Sequence, residues 1–272
     1  MDRRDGDRRR RRLMGLGGFD ADAQIYFDAV VANGGVLSTT EKNAYNVYRI
    51  NSKTNLYNPN CHIDLPMIGG TVESMVINAQ NPGTFDQIAV NTIAGDFTAN
   101  GFQPNGVDSY FRMGLIPSVT LTIQSVALEY YSRDDTDGNL TAMGCRNSVS
   151  QRLLLLLRLS NNTRFDSYDN GNGRLTAAQT NSSGGITVTR VSNSDSRALR
   201  KGVQYGSTLG TAGGTQPTFE LYLGAENNLG SAEGFGAYEC AGAGIYDGLS
   251  VAKVLSQYTD RQELNTKLSR NV

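Results

Sequence analysis

The sequence predicts a mainly β fold, a sandwich or barrel of short antiparallel strands with helices at its two ends. Three observations predict it. After about residue 71 apolar residues recur with period two in many short runs, the spacing that puts alternate side chains on opposite faces of a strand. Gly, 31 of the 272 residues, together with Asn, Ser and Thr punctuates those runs, and these residues supply turns. The period is helical only near the two ends. A chain of this length can bury one large sandwich core without disulfide or metal staples. The organisation expected is an Arg-rich arm over 1–18, a helical subdomain over 19–70, and a β-sandwich with a C-terminal helix over 71–272.

The first helix is expected over 20–33. Asp20 is its N-cap, Ile25, Phe27, Val30 and Val31 are its apolar face, and Asn33-Gly34-Gly35 ends it. The second begins at Ser38. Ser38-Thr39-Thr40-Glu41 is a capping box, in which the serine oxygen accepts from the third amide and the glutamate reaches back. Ala44, Tyr45, Val47, Tyr48 and Ile50 follow as its buried face.

Strands are expected over 71–78, 85–94, 118–131, 151–160, 163–168, 185–191, 197–203, 217–225 and 237–246. Alternation is strict in Val119-Thr120-Leu121-Thr122-Ile123-Gln124 and recurs in Ile186-Thr187-Val188-Thr189 and Phe219-Glu220-Leu221-Tyr222-Leu223. Asp137-Gly138, Asn170-Gly171 and Asn172-Gly173 are hairpin signals, because Asn and Asp tolerate the positive φ of such turns. The apolar run 153–157 suits a buried strand. A last helix starts after Ser250, with Val251, Val254, Leu255 and Tyr258 as its stripe and Leu264 and Leu268 extending it.

Charge is unevenly placed. Residues 1–12 hold seven Arg against three Asp, and the remainder holds 18 basic and 23 acidic residues. The body is mildly acidic, which argues against a nucleic-acid binder; only the arm is basic. Its arginines Arg8, Arg9, Arg10, Arg11 and Arg12 suit anchoring on an acidic neighbour, since guanidinium forks pair with carboxylates. Gly15-Leu16-Gly17-Gly18 reads as a hinge, lacking the strand and spacing of a dinucleotide loop. Cys61, Cys145 and Cys240 are scattered and odd in number, which points to reduced thiols and a cytosolic site of synthesis. No apolar segment follows the arginines as a secretory signal would, and no run reaches the ~18 apolar residues of a membrane span.

The order of motifs is similar to that of a group of phage and prophage virion proteins carrying a concanavalin-A-like (laminin-G-like) lectin/glucanase domain. It runs from the opening helix pair to Leu65-Pro66-Met67-Ile68-Gly69-Gly70, then Asn78-Ala79-Gln80-Asn81-Pro82 and Gly101-Phe102-Gln103-Pro104-Asn105-Gly106. A strand ending Tyr130-Tyr131-Ser132-Arg133 follows, and the close is Gly244-Ile245-Tyr246-Asp247-Gly248-Leu249-Ser250 with a helix ending Leu268-Ser269-Arg270-Asn271-Val272. The likeness spans about residues 20–272 and departs in lacking Trp. It implies a concanavalin-A-like jelly-roll β-sandwich with an N-terminal helix pair and a C-terminal helix, and a place on a virion. It transfers no catalytic residue.

Candidate chemistry is sparse. Glycoside hydrolysis needs two carboxylates flanking a bond, and the Glu-x-Asp-x-x-Glu string of glucanases of this fold does not occur. Glu220 and Glu226 are six apart across Gly224, and Glu220 is expected to face solvent. His62 is the only histidine, which excludes a multi-histidine metal site, and adjacent Cys61 and His62 rarely face one another. Asp134, Asp135, Asp137 and Asn139 crowd one loop and Asp166, Asp169, Asn170 and Asn172 another. Either is a candidate calcium site, because calcium takes six to eight oxygens, and the same residues serve tight turns. Tyr110, Tyr130, Tyr131 and Tyr168 are candidate sugar platforms, with no glycan-binding residue singled out.

The function expected is therefore non-enzymatic. It is that of a structural component of a tailed-phage virion, in a tail fibre, tail tip or head decoration, anchored by its N-terminal region and made in the host cytoplasm. Its expected partners are other virion proteins and copies of itself in a symmetric assembly. No cofactor other than the candidate calcium is expected. The alternative is an adhesin that binds host-surface glycan during adsorption.

Overall fold

A computed structural model describes residues 18–168, 173–211 and 213–272. Helix α1 (Ala21–Ala32) is capped by Asp20, whose Oδ1 accepts from Asp22 N at 3.1 Å. It ends at Gly34, whose φ of +87° only glycine adopts without strain. It buries Ala23, Tyr26, Phe27 and Val30, whereas Ile25 and Val31, expected on the same face, are exposed. Ala23, Tyr26, Phe27 and Val30 stand at i, i+3, i+4 and i+7 on one helical face, and Ile25 and Val31 fall outside it. Helix α2 (Thr39–Thr54) carries the full capping box. Glu41 Oε2 accepts from Ser38 N at 2.8 Å, and its other oxygen accepts from Gly69 N at 2.7 Å.

Among the described residues seventeen strands follow: β1 (Cys61–Leu65), β2 (Ile88–Val90), β3 (Phe97–Thr98), β4 (Gly101–Phe102), β5 (Tyr110–Arg112), β6 (Val126–Ser132), β7 (Thr141–Ser148), β8 (Gln151–Leu156), β9 (Asn162–Ser167), β10 (Arg174–Ala178), β11 (Gly184–Ser192), β12 (Asp195–Arg200), β13 (Val203–Leu209), β14 (Tyr222–Leu223), β15 (Glu226–Asn228), β16 (Ser231–Glu233) and β17 (Cys240–Tyr246). They form two sheets. The first runs β13-β12-β11-β6-β17-β4-β3 with β1 beside β17, and the second runs β10-β9-β8-β7-β14-β5-β2 with β15 and β16 attached at β7. The sheets face each other across one core that includes Leu128, Tyr130, Ile186, Val188 and Ile245 from the first, and Phe111, Cys145, Leu153, Leu155 and Phe165 from the second. The chain is the mainly β, concanavalin-A-like sandwich that was expected.

Helix α3 (Val251–Lys267) lies with α1 and α2 over the outer face of the first sheet. Its Leu264 joins Tyr26, Tyr45 and Tyr48 of the helix pair, and its Val254 packs on Ala127, Leu199 and Tyr246. The stripe it buries is largely polar: Gln257, Asp260, Arg261 and Asn265, with Leu255 exposed. The reason lies beneath it. Arg261 Nη2 reaches Asp64 at 2.7 Å and Arg261 Nε reaches Glu129 at 2.9 Å, all three residues being buried. Gly242 leaves the room, since a Cβ there would lie 3.0 Å from Arg261 Cδ. The helices thus cover one sheet and leave the outer face of the other open.

Several expected strands take other forms. The segment 71–78 holds a helical turn (Val72–Met75), and 118–131 opens with another (Pro117–Thr120) that leaves Val119 exposed. Alternation there is real, but Pro117 presets a helical start and no strand lies alongside to pair. Only Ile88–Val90 of 85–94 and Tyr222–Leu223 of 217–225 join a ladder. The stretch 197–203 is broken by Lys201 and Gly202, both at positive φ, which turn β12 into β13. Strands β3, β4, β5, β7, β10, β15 and β16, and all of β13 but Val203, lie outside the expected ranges, and β1 comes from the segment read as a helical subdomain. Asp137-Gly138 is no hairpin: β6 pairs with β11 and β17, so the loop crosses between sheets. Asn170-Gly171 and Asn172 fall outside the described residues, although β9 and β10 pair antiparallel around them.

Candidate functional site

The open face of the second sheet is built by register. In β8, Leu153 and Leu155 point into the core, so Arg152, Leu154 and Leu156 point out. Leu154 lies opposite Gly144 of β7 and Asp166 of β9, and Leu156 lies opposite Arg164. Asp166 and Arg164 in turn face Arg174 and Thr176 of β10. Arg146 of β7 sits beside Arg152. Four arginines from four consecutive strands therefore share one face.

They line a groove of about 480 Å³, closed at one side by Asn139, Thr141, Glu226, Glu233 and Gly234. Leu154 and Leu156 lie among the residues lining it and are buried although the face is open. Asp166, fully buried, accepts from Arg174 through both oxygens at 2.8 and 2.7 Å, and Arg152 Nε lies 2.7 Å from its Oδ2. Arg146 pairs with Glu233 and stands 3.6 Å from Glu226. Burial pushes the Glu226 carboxyl above the ordinary carboxylate range, against the pull of Arg146. Its Oε1 is buried without a hydrogen bond, as is Arg164 Nε. The groove offers planar charged donors and acceptors around an apolar floor. This is the equipment for orienting a polar ring with one apolar face.

One strand away on the same face, Tyr110 and Tyr222 pack at 4.7 Å with Phe235 beside them. A second groove of about 540 Å³ lies there, lined by Arg112, Ile116, Phe219 and Glu220 among others. Glu220, expected to face solvent, is instead held by Arg112 Nε at 2.7 Å and Gly114 N at 2.8 Å. Glu220 and Glu226 belong to different grooves.

The residues expected to bind calcium do not come together. Asp134 accepts from Glu239 N at 2.6 Å. Asp135 accepts from Ser182 N at 2.9 Å and pairs with Arg158 at 2.7 Å, contacts that hold its carboxyl below the usual range. Asp137 accepts from Ser160 N and Asn161 N at 2.8 and 3.0 Å. Asn139 turns away to line the first groove. These side chains are occupied by amides and a guanidinium and do not fit a calcium site. Among the described residues no cluster of three or more His, Cys, Asp or Glu is arranged for a metal. Asp166 serves arginines, and Asp169, Asn170 and Asn172 lie outside the described residues, as do Arg8, Arg9, Arg10, Arg11 and Arg12.

Tyr130, Tyr131 and Tyr168 are buried and cannot be sugar platforms; Tyr110 alone of the four is partly exposed. His62 Nε2 meets Asp247 at 3.1 Å, while the Cys61 thiol, pushed up by burial, donates to Ile63 O. All three cysteines are free. Among the described residues no helix is long and apolar enough to cross a membrane. The groove arginines were missed. Their signal is the alternation of arginine with core residues in Arg152-Leu153, Arg164-Phe165-Asp166 and Arg174-Leu175, but which strands lie side by side is not written in any of them.

The fold is a two-sheet β-sandwich with one open, polar-lined outer face. No family model matches the chain, and no curated protein matches it in sequence. Solved structures do resemble it. The binding domain of botulinum neurotoxin serotype D matches with a TM-score of 0.50 at 9% identity, over 75% of this chain and 52% of that one. A botulinum neurotoxin type C structure, described for cell entry that depends on interaction with two ganglioside molecules, matches with a TM-score of 0.51 at 11% identity, over 77% and 53%. Domain 4 of a GH43 extracellular arabinanase from Geobacillus stearothermophilus, in complex with arabinotriose, matches with a TM-score of 0.41 at 18% identity, over 57% and 75%. The chain spans about half the length of the toxin structures, and the likeness is one of fold.

Proposed function

We propose that this chain is a glycan-binding β-sandwich and that the arginine-lined groove of β7 to β10 is its binding site. One observation carries the reading: charged forks of both signs surround an apolar floor on an outer sheet face that, among the described residues, no helix covers. Sugars are bound by such planar groups, each bridging neighbouring hydroxyls, with the ring resting on apolar surface. The fold likeness to toxin binding domains, one of them described for ganglioside interaction, supports it. The motif order of the sequence supports a setting on a phage particle, where the glycan would belong to the host surface. Repetition of the chain in a symmetric assembly would add avidity to a weak single site. The proposed role is binding without cleavage: Asp166 and Glu233 are tied to arginines, which leaves Glu226 without the second free carboxylate that glycoside hydrolysis needs.

The test is a glycan array probed with the full chain, R174A and R112A. Binding of at least one glycan is expected, reduced about tenfold or more in R174A, as for loss of a charged hydrogen-bonding anchor, and kept in R112A. The captured glycan should be recovered at its original length. Binding that R174A leaves intact and R112A abolishes would move the site to the second groove, and silence across the array would remove the function.

A further inference from the structure

Arg164 differs from its three neighbours in the groove. Arg152 and Arg174 share Asp166, and Arg146 holds Glu233. Among the described residues Arg164 has no ion pair and no side-chain hydrogen bond; its Nε is buried without an acceptor, as is that of Arg146, and what sets Arg164 apart is that its fork has no carboxylate. Register explains why: its cross-strand neighbours on this face are Leu156 and Thr176, neither of which carries charge. Asp166, two residues on, is already taken by Arg152 and Arg174.

The Arg164 Nε is closed off from a ligand, but the terminal nitrogens of the fork, which are not among the buried unpaired atoms, face the groove that Arg164 lines and can take an acceptor from a bound molecule. The planar fork of arginine matches a planar carboxylate through two parallel hydrogen bonds. Leu154 and Leu156 lie next to it for the apolar face of a ring. Resting on the glycan-binding reading, we propose that the groove selects an acidic sugar, a uronic or nonulosonic acid unit whose carboxylate sits on Arg164.

Matched probes test this: sialyllactose against lactose, polygalacturonate against its methyl ester, and dextran sulfate against dextran, each offered to the native chain, R164Q and R112Q. Native protein should retain at least one carboxylated probe while its uncharged partner passes. R164Q, checked to melt with the native chain, should lose that binding about tenfold or more, and R112Q should keep it. Retention should also weaken as salt rises. Binding of uncharged probes alone, of the sulfate ester alone, or carboxylate binding that R164Q retains would overturn the assignment and leave glycan binding standing. No binding to any probe, here and across the wider array, would overturn both.

Discussion

Glu226 shows how burial sets a side chain's chemistry in the groove against the pull of a neighbouring arginine. Its carboxyl sits higher than in the unfolded chain because burial disfavours the charge. A group raised on folding contributes stability that is full below the unfolded value, about 4.3 for a glutamate, and is lost as pH rises through the folded value. At neutral pH the ionised form therefore costs stability. E226Q should melt at or above the native temperature at pH 7, and the gain should shrink toward pH 4; a variant that melts lower at pH 7 would show that the Arg146 contact outweighs burial. At this scale the sequence was readable where an interaction is local. Asp20, Ser38 and Ser250 cap helices as their spacing requires, because the partner amide lies two or three residues on. It was unreadable where the partner is remote: Arg152, Arg164 and Arg174 become a site only through strand neighbours that no spacing records.

The helices tie to the sheets through their ends. Glu41 accepts from the Ser38 amide and hydroxyl and also from Gly69 N, so the capping box doubles as a clasp on the chain entering the sandwich. S38A should cost about 1 kcal/mol, the usual loss of a cap. E41A should cost more, because it releases the second contact as well, and urea midpoints for the two variants would show the order. Equal midpoints would mean that the Gly69 contact adds nothing. Strands were legible where an apolar or alternating run meets a neighbour, as in β8, β9 and β11. They were not legible where alternation stands alone, as at Val119 to Gln124, or where small residues such as Ala142, Gly144 and Cys145 mask a central strand. A ladder is made by two strands, and a sequence pattern describes one.

The described residues are layered, with helices on the first sheet and none of them on the outer face of the second. What joins the helical layer to the sandwich is the buried triad of Arg261, Asp64 and Glu129. Burial opposes the Arg261 charge, and Glu129 and Asp64 more than offset that, so the guanidinium stays firmly protonated. R261M would leave two carboxylates without compensation in the interior, a loss of about 3–5 kcal/mol. Equilibrium unfolding in urea should show it, and a native-like midpoint would mean that the apolar clusters alone hold the layers. By itself the sequence determined the fold class, the three long helices and their caps, and the absence of any disulfide framework, since these follow from periodicity, local hydrogen bonding and composition. Only the tertiary structure decided which sheet face stays open, which arginines meet there and which one lacks an acceptor. Those depend on strand order and register, set by packing between segments far apart in the chain.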